Sequence, residues 1–321
     1  MTTHPPVETS DGIRLHVTDT GYGEPILFLH EYAGDHRSWS RQVAELREDF
    51  RCVTYAARGY TPSDVPTTPS AYSWQRAVED ALTVLDTLEL QTAHVVGLSM
   101  GGYTALQLGL RHPDRVRSVM AVSTGSGSDP AGRLAYLEEA KIVAEQLRAH
   151  GSASVGLAMG EGPSRVQLKH RNEYAWHEMI EQFSEQPAEG RALTILQIQA
   201  CRPSLHDMID DFRSFSVPLL LVNGDEDEAC LSTGIMLKRT VASCGMHILP
   251  NSGHVPNLED PRQFNDIIRR FIHNVESDTW PVRDPRSRLT SQFGLNQPGP
   301  VGSAEDSPRS TTASEKVAAL K

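Results

Sequence analysis

Short apolar runs alternate with amphipathic segments along the first 122 residues. Continuous apolar runs are typical of strands buried inside a parallel sheet, and apolar positions at helical spacing indicate helices. The predicted strands are Gly12–Thr18, Pro25–Leu29, Arg51–Tyr55, Ala93–Val96 and Val116–Val122, and the predicted helices are Ser38–Leu46, Tyr72–Leu88 and Gly102–Leu110. The first strand alternates apolar and polar residues, and we expect it to pair with Val7–Thr9. The order of elements predicts an α/β fold whose mostly parallel sheet is flanked by helices on both faces.

The pattern changes after residue 128. Helical periodicity dominates from Pro130 to Phe215. Strands return at Val217–Val222 and Met246–Leu249, and a closing helix follows at Asp260–His273. Beyond Val275 the chain is rich in Ser, Pro, Gly, Arg and Asp, a composition typical of disorder. The predicted organisation is a first core segment (1–128), a helical cap (129–215), a second core segment (216–275) and a disordered tail (276–321).

Candidate chemistry centres on Gly97–Gly101, which reads G-x-S-x-G between a predicted strand and a predicted helix. In that context the pattern is typical of a nucleophile elbow, a tight turn that exposes a serine hydroxyl. The glycines are needed because side chains there would collide with the neighbouring strand and helix. Free N–H groups at the helix N-terminus would face a developing oxyanion. The alternative interpretation is a glycine-rich turn that carries a solvated serine.

Composition and charge narrow the classes of function. A net charge of -11 and a pI of about 5.6 argue against binding nucleic acid through its phosphates. The N-terminal segment lacks the apolar core of a secretory signal, and no stretch approaches the roughly 20 apolar residues of a spanning helix. Four cysteines are scattered without a C-x-x-C pair. We therefore expect reduced thiols, a cytoplasmic location and no membrane partner.

Five landmarks, in order along the chain, resemble the α/β-hydrolase superfamily, in its branch of small-molecule esterases, lactonases and carbon–carbon bond hydrolases. The similarity runs from about Gly12 to Asn274. The landmarks are the His-x-x loop after PILFL, the loop ARGYTPSD, the segment GLSMGG, the segment GDED after VPLLLV, and SGHVPNLEDP. The resemblance implies an α/β-hydrolase fold with a helical cap over the serine.

The resemblance also implies a catalytic triad in the chain order serine, acid, histidine. It makes Ser99 the nucleophile, Asp227 the acid and His254 the base. Asp225 is the alternative acid, because the register within GDED rests on spacing alone, and Asp227 would then be a solvated turn carboxylate. A histidine can take the proton of a serine hydroxyl, and an aspartate fixes the tautomer of the imidazole.

Two backbone N–H groups, those of Tyr32 and Met100, are expected to form the oxyanion hole. Glu31, Tyr32 and Trp176 are candidate substrate contacts. Further aromatic and methionine residues of the cap are candidates for the cavity lining, and about half of the set is expected to pack inside the cap instead. They are Met159, Tyr174, Met179 and Phe183.

Two positions depart from the family pattern. Glu31 replaces the glycine that commonly follows His30, so it either anchors the loop by pairing with a basic residue or touches the substrate. Ala56 stands where an aspartate often precedes Arg-Gly, so Arg58 is expected to have a different partner. Neither departure affects the triad.

The leading hypothesis is a cofactor-free serine hydrolase that cleaves a small carboxylic ester or lactone through an acyl-enzyme. A carbon–carbon bond hydrolase and a small-molecule amidase are alternatives on the same triad. A ligand-binding protein without catalysis is the alternative of another class. The expected partner is a small-molecule substrate, and no metal or cofactor is expected. The physiological substrate and the oligomeric state stay open.

Overall fold

Residues 2–288, the part of the chain that the computed structural model describes, form a central sheet of eight strands and a separate ribbon of two. The strands are β1 (Thr2–Thr3), β2 (Val7–Glu8), β3 (Arg14–Leu15), β4 (Val17–Thr20), β5 (Glu24–Leu29), β6 (Phe50–Tyr55), β7 (Ala93–Leu98), β8 (Val116–Val122), β9 (Leu219–Gly224) and β10 (Cys244–Leu249). Their order across the sheet is β1-β4-β6-β5-β7-β8-β9-β10, and β2 pairs with β3 in the ribbon.

The sheet is mostly parallel, as predicted, because the strands from β6 to β10 in the sheet order all pair in parallel. The edge strands β1 and β4 are antiparallel. The predicted strand Gly12–Thr18 is divided between the two sheets: Leu15 pairs with Val7 in the ribbon, whereas Val17 pairs with Tyr55 in the main sheet. The expected pairing with the segment around Val7 therefore holds only for the first part of that strand.

Helices connect the parallel strands and cover both faces of the sheet. They are α1 (Ser40–Leu46), α2 (Trp74–Thr87), α3 (Met100–Arg111), α4 (Arg133–Gly160), α5 (Val166–Arg171), α6 (Glu173–Ser184), α7 (Ala188–Leu193), α8 (Ile209–Arg213), α9 (Glu228–Thr240), α10 (Pro256–Glu259) and α11 (Pro261–Glu276), with a π-helical segment at Thr194–Ala200. Within residues 2–288 no helix is both long and apolar enough to span a bilayer.

Alternate side chains of each central strand enter two different cores. On β5, Leu27 and Leu29 enter the core that contains α2 and α3, whereas Ile26 and Phe28 enter the core that contains α1 and α11. Phe28 packs against Trp39, with 5.1 Å between the ring centres. Because both faces of the strand are buried, its sequence reads as a continuous apolar run.

The chain between β8 and β9 is helical, and we call residues 129–215 the helical insertion. Its first helix, α4, is broken at Gly151, where φ is 77° and ψ is 171°. A left-handed φ of this kind favours glycine, so the break is encoded in the sequence. In the second core segment, α9 was not predicted, because its buried side chains include the small or polar Cys230, Thr233 and Gly234. Such a helix has little apolar periodicity to detect.

The C-terminal part of the described chain packs on the core further than expected. Glu276, the last residue of α11, accepts a hydrogen bond from Arg117 Nε at 3.0 Å. The Trp280 indole N–H donates to the Ser243 carbonyl oxygen at 2.7 Å, and its ring lies 4.7 Å from that of Phe271. The predicted start of the tail at residue 276 is therefore wrong. Residues 289–321 of that predicted tail lie outside the described residues.

As expected from the sequence, Arg58 has a partner other than the aspartate that Ala56 replaces. Its guanidinium donates to Asp80 Oδ1 at 2.6 Å and to Asp11 Oδ2 at 2.8 Å. Arg58 and Asp80 are almost completely buried, whereas Asp11 is partly exposed. This ion pair ties the loop after β6 to α2, so the carboxylate that replaces the missing aspartate comes from a helix.

Asp80→Ala should lower the free energy of unfolding by about 3–5 kcal/mol, because it leaves a buried guanidinium without its buried counter-ion. The matched control is Glu79→Ala, which removes the neighbouring carboxylate, an exposed partner of Arg76. The control should cost less than about 1 kcal/mol. Urea denaturation measures both variants, and equal losses would contradict the importance of the Arg58–Asp80 pair.

A chain that ends at Asn274 should unfold at a lower temperature than one that ends at Val282. The shorter chain lacks Glu276 and Trp280, which contact Arg117, Ser243 and Phe271. Loss of a packed indole and a partly buried hydrogen bond should lower Tm by at least about 5 °C. Thermal unfolding followed by circular dichroism measures this difference. Identical Tm values would show that residues 275–282 do not stabilise the core.

Candidate active site

Ser99 lies in a turn with a backbone conformation that few residues other than glycine adopt. It follows β7 directly and precedes α3, with φ 53° and ψ -106°. Such a conformation costs roughly 1–3 kcal/mol and persists only where the surroundings impose it. A Cβ on Gly97 would lie 2.2 Å from the Gly101 carbonyl oxygen, and a Cβ on Gly101 would lie 2.1 Å from the Leu29 oxygen. The two glycines thus allow β7, α3 and the end of β5 to meet closely around Ser99.

The structure pairs His254 with Asp227. Asp227 is the N-cap residue of α9, and His254 lies on the loop after β10. The imidazole Nδ1 lies 3.0 Å from each carboxylate oxygen, and both side chains are buried. Asp225, the alternative acid, is exposed and accepts a hydrogen bond from the Ser252 backbone N–H at 3.1 Å. The geometry therefore favours Asp227 over Asp225 and leaves Nε2 as the free nitrogen of His254.

Two opposing effects set the charges of this pair. Burial disfavours the imidazolium, but the Asp227 carboxylate outweighs burial and raises the pKa of His254 well above the usual 6.5. Burial also disfavours the carboxylate, but the positive charge and hydrogen bond of His254 outweigh it and lower the pKa of Asp227. Each side chain therefore stabilises the charged form of the other, so the Asp227 carboxylate favours the imidazolium that forms when His254 accepts a proton.

Cys230 is a neighbour of this pair that the sequence analysis missed. Its Sγ lies 3.9 Å from His254 Nδ1 and donates a hydrogen bond to the Ser123 carbonyl oxygen at 3.3 Å. Burial raises the pKa of the thiol, which therefore stays protonated. Had α9 been predicted, the spacing of three residues from Asp227 would have placed Cys230 on the same helix face.

Within residues 2–288, one group of side chains is close enough together to ligate a metal ion. Asp227, Cys230 and His254 present ligand atoms that all lie within 4.8 Å of one another. In the structure, however, the carboxylate oxygens and the imidazole Nδ1 of this set are hydrogen bonded to each other. The contact of Asp227 with His254 is the arrangement that general-base chemistry requires.

The peptide between Glu31 and Tyr32 is held from one side by His30. His30 Nδ1 donates to the Glu31 carbonyl oxygen at 2.7 Å, and Nε2 accepts from the Ala57 N–H at 3.0 Å. Burial lowers the pKa of His30, which keeps the ring neutral so that it can donate and accept. A trans peptide directs its N–H opposite to its carbonyl, so the Tyr32 N–H points away from His30. Met100 begins α3, and its N–H therefore has no acceptor within that helix.

Tyr32 is anchored by the helical insertion. Its carbonyl oxygen accepts hydrogen bonds from the Tyr60 hydroxyl at 3.0 Å and from the Arg191 guanidinium. Its own hydroxyl donates to the Arg191 carbonyl oxygen at 3.3 Å. The guanidinium is fully buried and lies 4.0 Å from the ring centre of Phe183, a cation–π distance. Arg191 thus ties the loop after β5 to α7.

Ser99, Asp227 and His254 line one cavity of about 170 Å³. Glu31 and Tyr32 line it too, and their role as substrate contacts stays a prediction. The helical insertion contributes the opposite group of lining residues, which are Tyr136, Glu139, Ala140, Val143, Met159, Ser164, Arg165, Ile195 and Gln199. The three candidate triad residues, from three separate segments, therefore face a space that the insertion helps to enclose.

Glu31 has a basic partner, Arg165 of the helical insertion. Each of these two side chains is only 3% exposed, and both line the cavity. Arg165 Nη1 also donates to the Ser164 carbonyl oxygen at 2.9 Å, and its Nε lies 3.1 Å from Met179 Sδ. The positive charge of Arg165 is thus compensated at the cavity wall, and Glu31 anchors the loop as the sequence suggested.

Trp176 lies outside the cavity lining, so its prediction as a substrate contact is wrong. Its indole N–H donates at 2.7 Å to the carbonyl oxygen of the last residue of α4, which places the ring inside the helical insertion. Among the other candidates, Met159 lines the cavity and Tyr174 is exposed. Met179 and Phe183 are buried in packing contacts. Helical spacing identifies the buried face of a helix but does not separate core packing from a cavity wall.

Comparison with known proteins identifies the family. A sequence model described as "alpha/beta hydrolase fold" matches residues 24–261. The chain belongs to the α/β-hydrolase family. It is 28% identical to 3-oxoadipate enol-lactonase 1 of Acinetobacter baylyi over 252 residues, which cover 78% of this chain and 89% of the relative.

Two solved structures share the fold of this α/β hydrolase over most of its length. The enol-lactonase of Burkholderia xenovorans LB400 is 25% identical, with a TM-score of 0.72, over 84% of this chain and 100% of that chain. A thermophilic esterase from Thermogutta terrifontis is 25% identical, with a TM-score of 0.75, over 86% of this chain and 99% of that chain. The predicted fold and hydrolase class are confirmed, and the roles of individual residues stay predictions.

The pKa of His254 should lie above 6.5 in the wild-type protein and fall in Asp227→Asn, because burial then acts without the opposing carboxylate. Asp225→Asn is the matched control, since it removes an exposed carboxylate from the same loop and should leave the pKa unchanged. An NMR titration of the imidazole resonances measures all three proteins. A lower His254 pKa in Asp225→Asn than in Asp227→Asn would reassign the partner of the histidine.

Proposed function

We propose that this α/β hydrolase cleaves a small-molecule carboxylic ester or lactone through an acyl-enzyme formed on Ser99. The observation that carries the proposal is the convergence of three features on one cavity. Ser99 occupies a strained left-handed turn, His254 pairs with Asp227, and Tyr32, whose N–H is a predicted oxyanion donor, lines the same space. Each feature has an ordinary structural explanation alone, but acyl transfer requires all three together.

In the first step, His254 Nε2 takes the proton of the Ser99 hydroxyl while Oγ adds to the carbonyl carbon of the substrate. Asp227 holds Nδ1–H and stabilises the imidazolium that forms. The pair is already arranged for this charge, since the Asp227 carboxylate raises the pKa of His254. In free hydrolases the contact between nucleophile and base is often loose and tightens when the substrate binds.

The N–H groups of Tyr32 and Met100 stabilise the negative charge that develops on the substrate oxygen. Donors of this kind act most strongly when they are fixed before the reaction, so that they need not reorganise. His30 holds the peptide that carries the Tyr32 N–H, and Arg191 holds the next carbonyl. The macrodipole of α3 adds positive potential at the Met100 N–H. These contacts support the assignment of both groups to the oxyanion hole.

Collapse of the tetrahedral intermediate breaks the bond to the alkoxide, which takes its proton from His254 Nε2. With an ester the alcohol leaves, whereas with a lactone it stays tethered to the acyl group as a hydroxyl. Water then gives a proton to His254 and adds to the acyl carbon as hydroxide. When the bond between the acyl carbon and Ser99 Oγ breaks, Oγ takes that proton from His254 and the acid is released. The helical insertion acts as a cap in this scheme, because its side chains close the cavity around the reacting atoms.

The names of the relatives support the choice of bond. One curated relative and one solved structure are named as enol-lactonases, and another solved structure is named as an esterase. Esters and lactones share the same acyl–oxygen chemistry, so the triad and the oxyanion hole serve both. A substrate panel distinguishes cleavage of esters and lactones from cleavage of amides and carbon–carbon bonds. It contains a short aryl ester, a five-membered lactone, an anilide and a ring-cleavage diketone.

Ser99→Ala should lower kcat for 4-nitrophenyl acetate and for a short lactone by about 10⁴-fold or more, because no acyl-enzyme can form. Asp227→Asn should lose about 10⁴-fold through the wrong imidazole tautomer. Asp225→Asn, the matched control, should stay within about twofold of the wild type. Release of 4-nitrophenolate and pH-stat titration of the acid product measure these rates. Full activity in Ser99→Ala would overturn the proposal.

A further inference from the structure

The cavity that holds Ser99 adjoins a larger groove on the helical insertion. The groove has a volume of about 780 Å³, against about 170 Å³ for the cavity. Pockets for small molecules usually measure about 300–1,000 Å³, so the groove has the room that the cavity lacks. Residues from both sides of the Gly151 break in α4 line it. Its apolar lining includes Ala135, Ile142, Val143, Val155, Ala158 and Met159.

Shared walls connect the groove with the cavity. Seven residues line both spaces: Ser126, Tyr136, Glu139, Val143, Met159, Ser164 and Ala229. The two spaces therefore adjoin each other along these seven residues. Ile142, on the groove side of this boundary, is 50% exposed, although a large apolar side chain gains free energy when it is covered.

The charges along this route disfavour an anionic occupant. Among the residues that line the two spaces, Arg165 is the sole arginine or lysine, and Glu31 compensates it. The groove itself is lined by the carboxylates Asp129, Glu139 and Glu228 and by no cationic side chain. A carboxylate on the substrate would have to leave water and approach these like charges, which is unfavourable in a partly closed site.

We infer that the substrate is an uncharged ester or lactone with an elongated apolar group, and that this group lies in the groove between the two arms of α4. The inference deepens the proposed function and rests on it. The reacting carbonyl occupies the cavity at Ser99. The two arms are the parts of α4 before and after Gly151, and the apolar group covers Ile142 of the first arm and Val155 and Ala158 of the second. Chain length and charge, which the triad does not select, are selected by the helical insertion.

The test compares kcat/KM for the 4-nitrophenyl esters of acetic and octanoic acid below their solubility limits. Ala158→Trp fills the groove from an exposed position, and Leu157→Trp places the same ring at the neighbouring position, which is 55% exposed and outside the groove. The wild type should prefer octanoate by at least about tenfold, equivalent to two buried methylene groups. Ala158→Trp should lower the octanoate-to-acetate ratio by a similar factor, and Leu157→Trp should leave the ratio unchanged.

A second arm tests charge with the mono-4-nitrophenyl ester of octanedioic acid, which has the same length and a terminal carboxylate. The wild type should cleave it at least about tenfold more slowly than the octanoate. Equal rates for acetate and octanoate, equal effects of the two tryptophan variants, or preference for the carboxylate would each overturn the inference. If neither acetate nor octanoate is cleaved and a lactone panel also fails, the hydrolase proposal itself falls and the inference falls with it.

Discussion

The close approach of three backbone segments at Gly97 and Gly101 is the constraint on which the candidate site depends. A methyl group at either position would lie little more than 2 Å from a backbone oxygen. Because neither contact can relax without moving β7 or α3, the chain between them accepts a left-handed residue at Ser99. The same approach brings the first N–H of α3 next to the loop after β5. One steric condition thus sets both the position of the hydroxyl and that of a predicted oxyanion donor, the Met100 N–H.

Around this turn, buried charged side chains affect the protonation of His254 and hold the loops of the site in place. The Asp227 carboxylate overcomes the burial of His254 and favours its protonated form. Arg191 is buried against aromatic rings and holds the loop of Tyr32, whereas Arg165 is compensated by Glu31. All three contacts join separate parts of the chain, and two of them join the core to the helical insertion. The insertion therefore does more than cover the cavity, since its arginines hold the loop that carries a predicted oxyanion donor.

The sequence predicted the parts of this protein that depend on local pattern and missed those that depend on packing. The parallel sheet follows from continuous apolar runs, and Ser99 follows from glycine spacing in a strand-turn-helix context. By contrast, α9 and hence Cys230 were missed, because small buried residues leave no amphipathic signal. Trp176 was misassigned, since spacing does not distinguish a cavity wall from a packed core. The partners of Arg58 and Glu31 lie 22 and 134 residues away along the chain, a separation that one sequence cannot resolve.

The most direct test of the central claim is to identify the residue that a fluorophosphonate probe modifies. Such probes form a stable adduct with an activated serine and spare ordinary hydroxyl groups. Intact-mass and peptide mass spectrometry of the full-length protein should show one adduct, on Ser99, and His254→Gln should abolish it. An adduct on another residue, or none under conditions where an esterase standard is fully labelled, would show that Ser99, His254 and Asp227 do not form a working nucleophile.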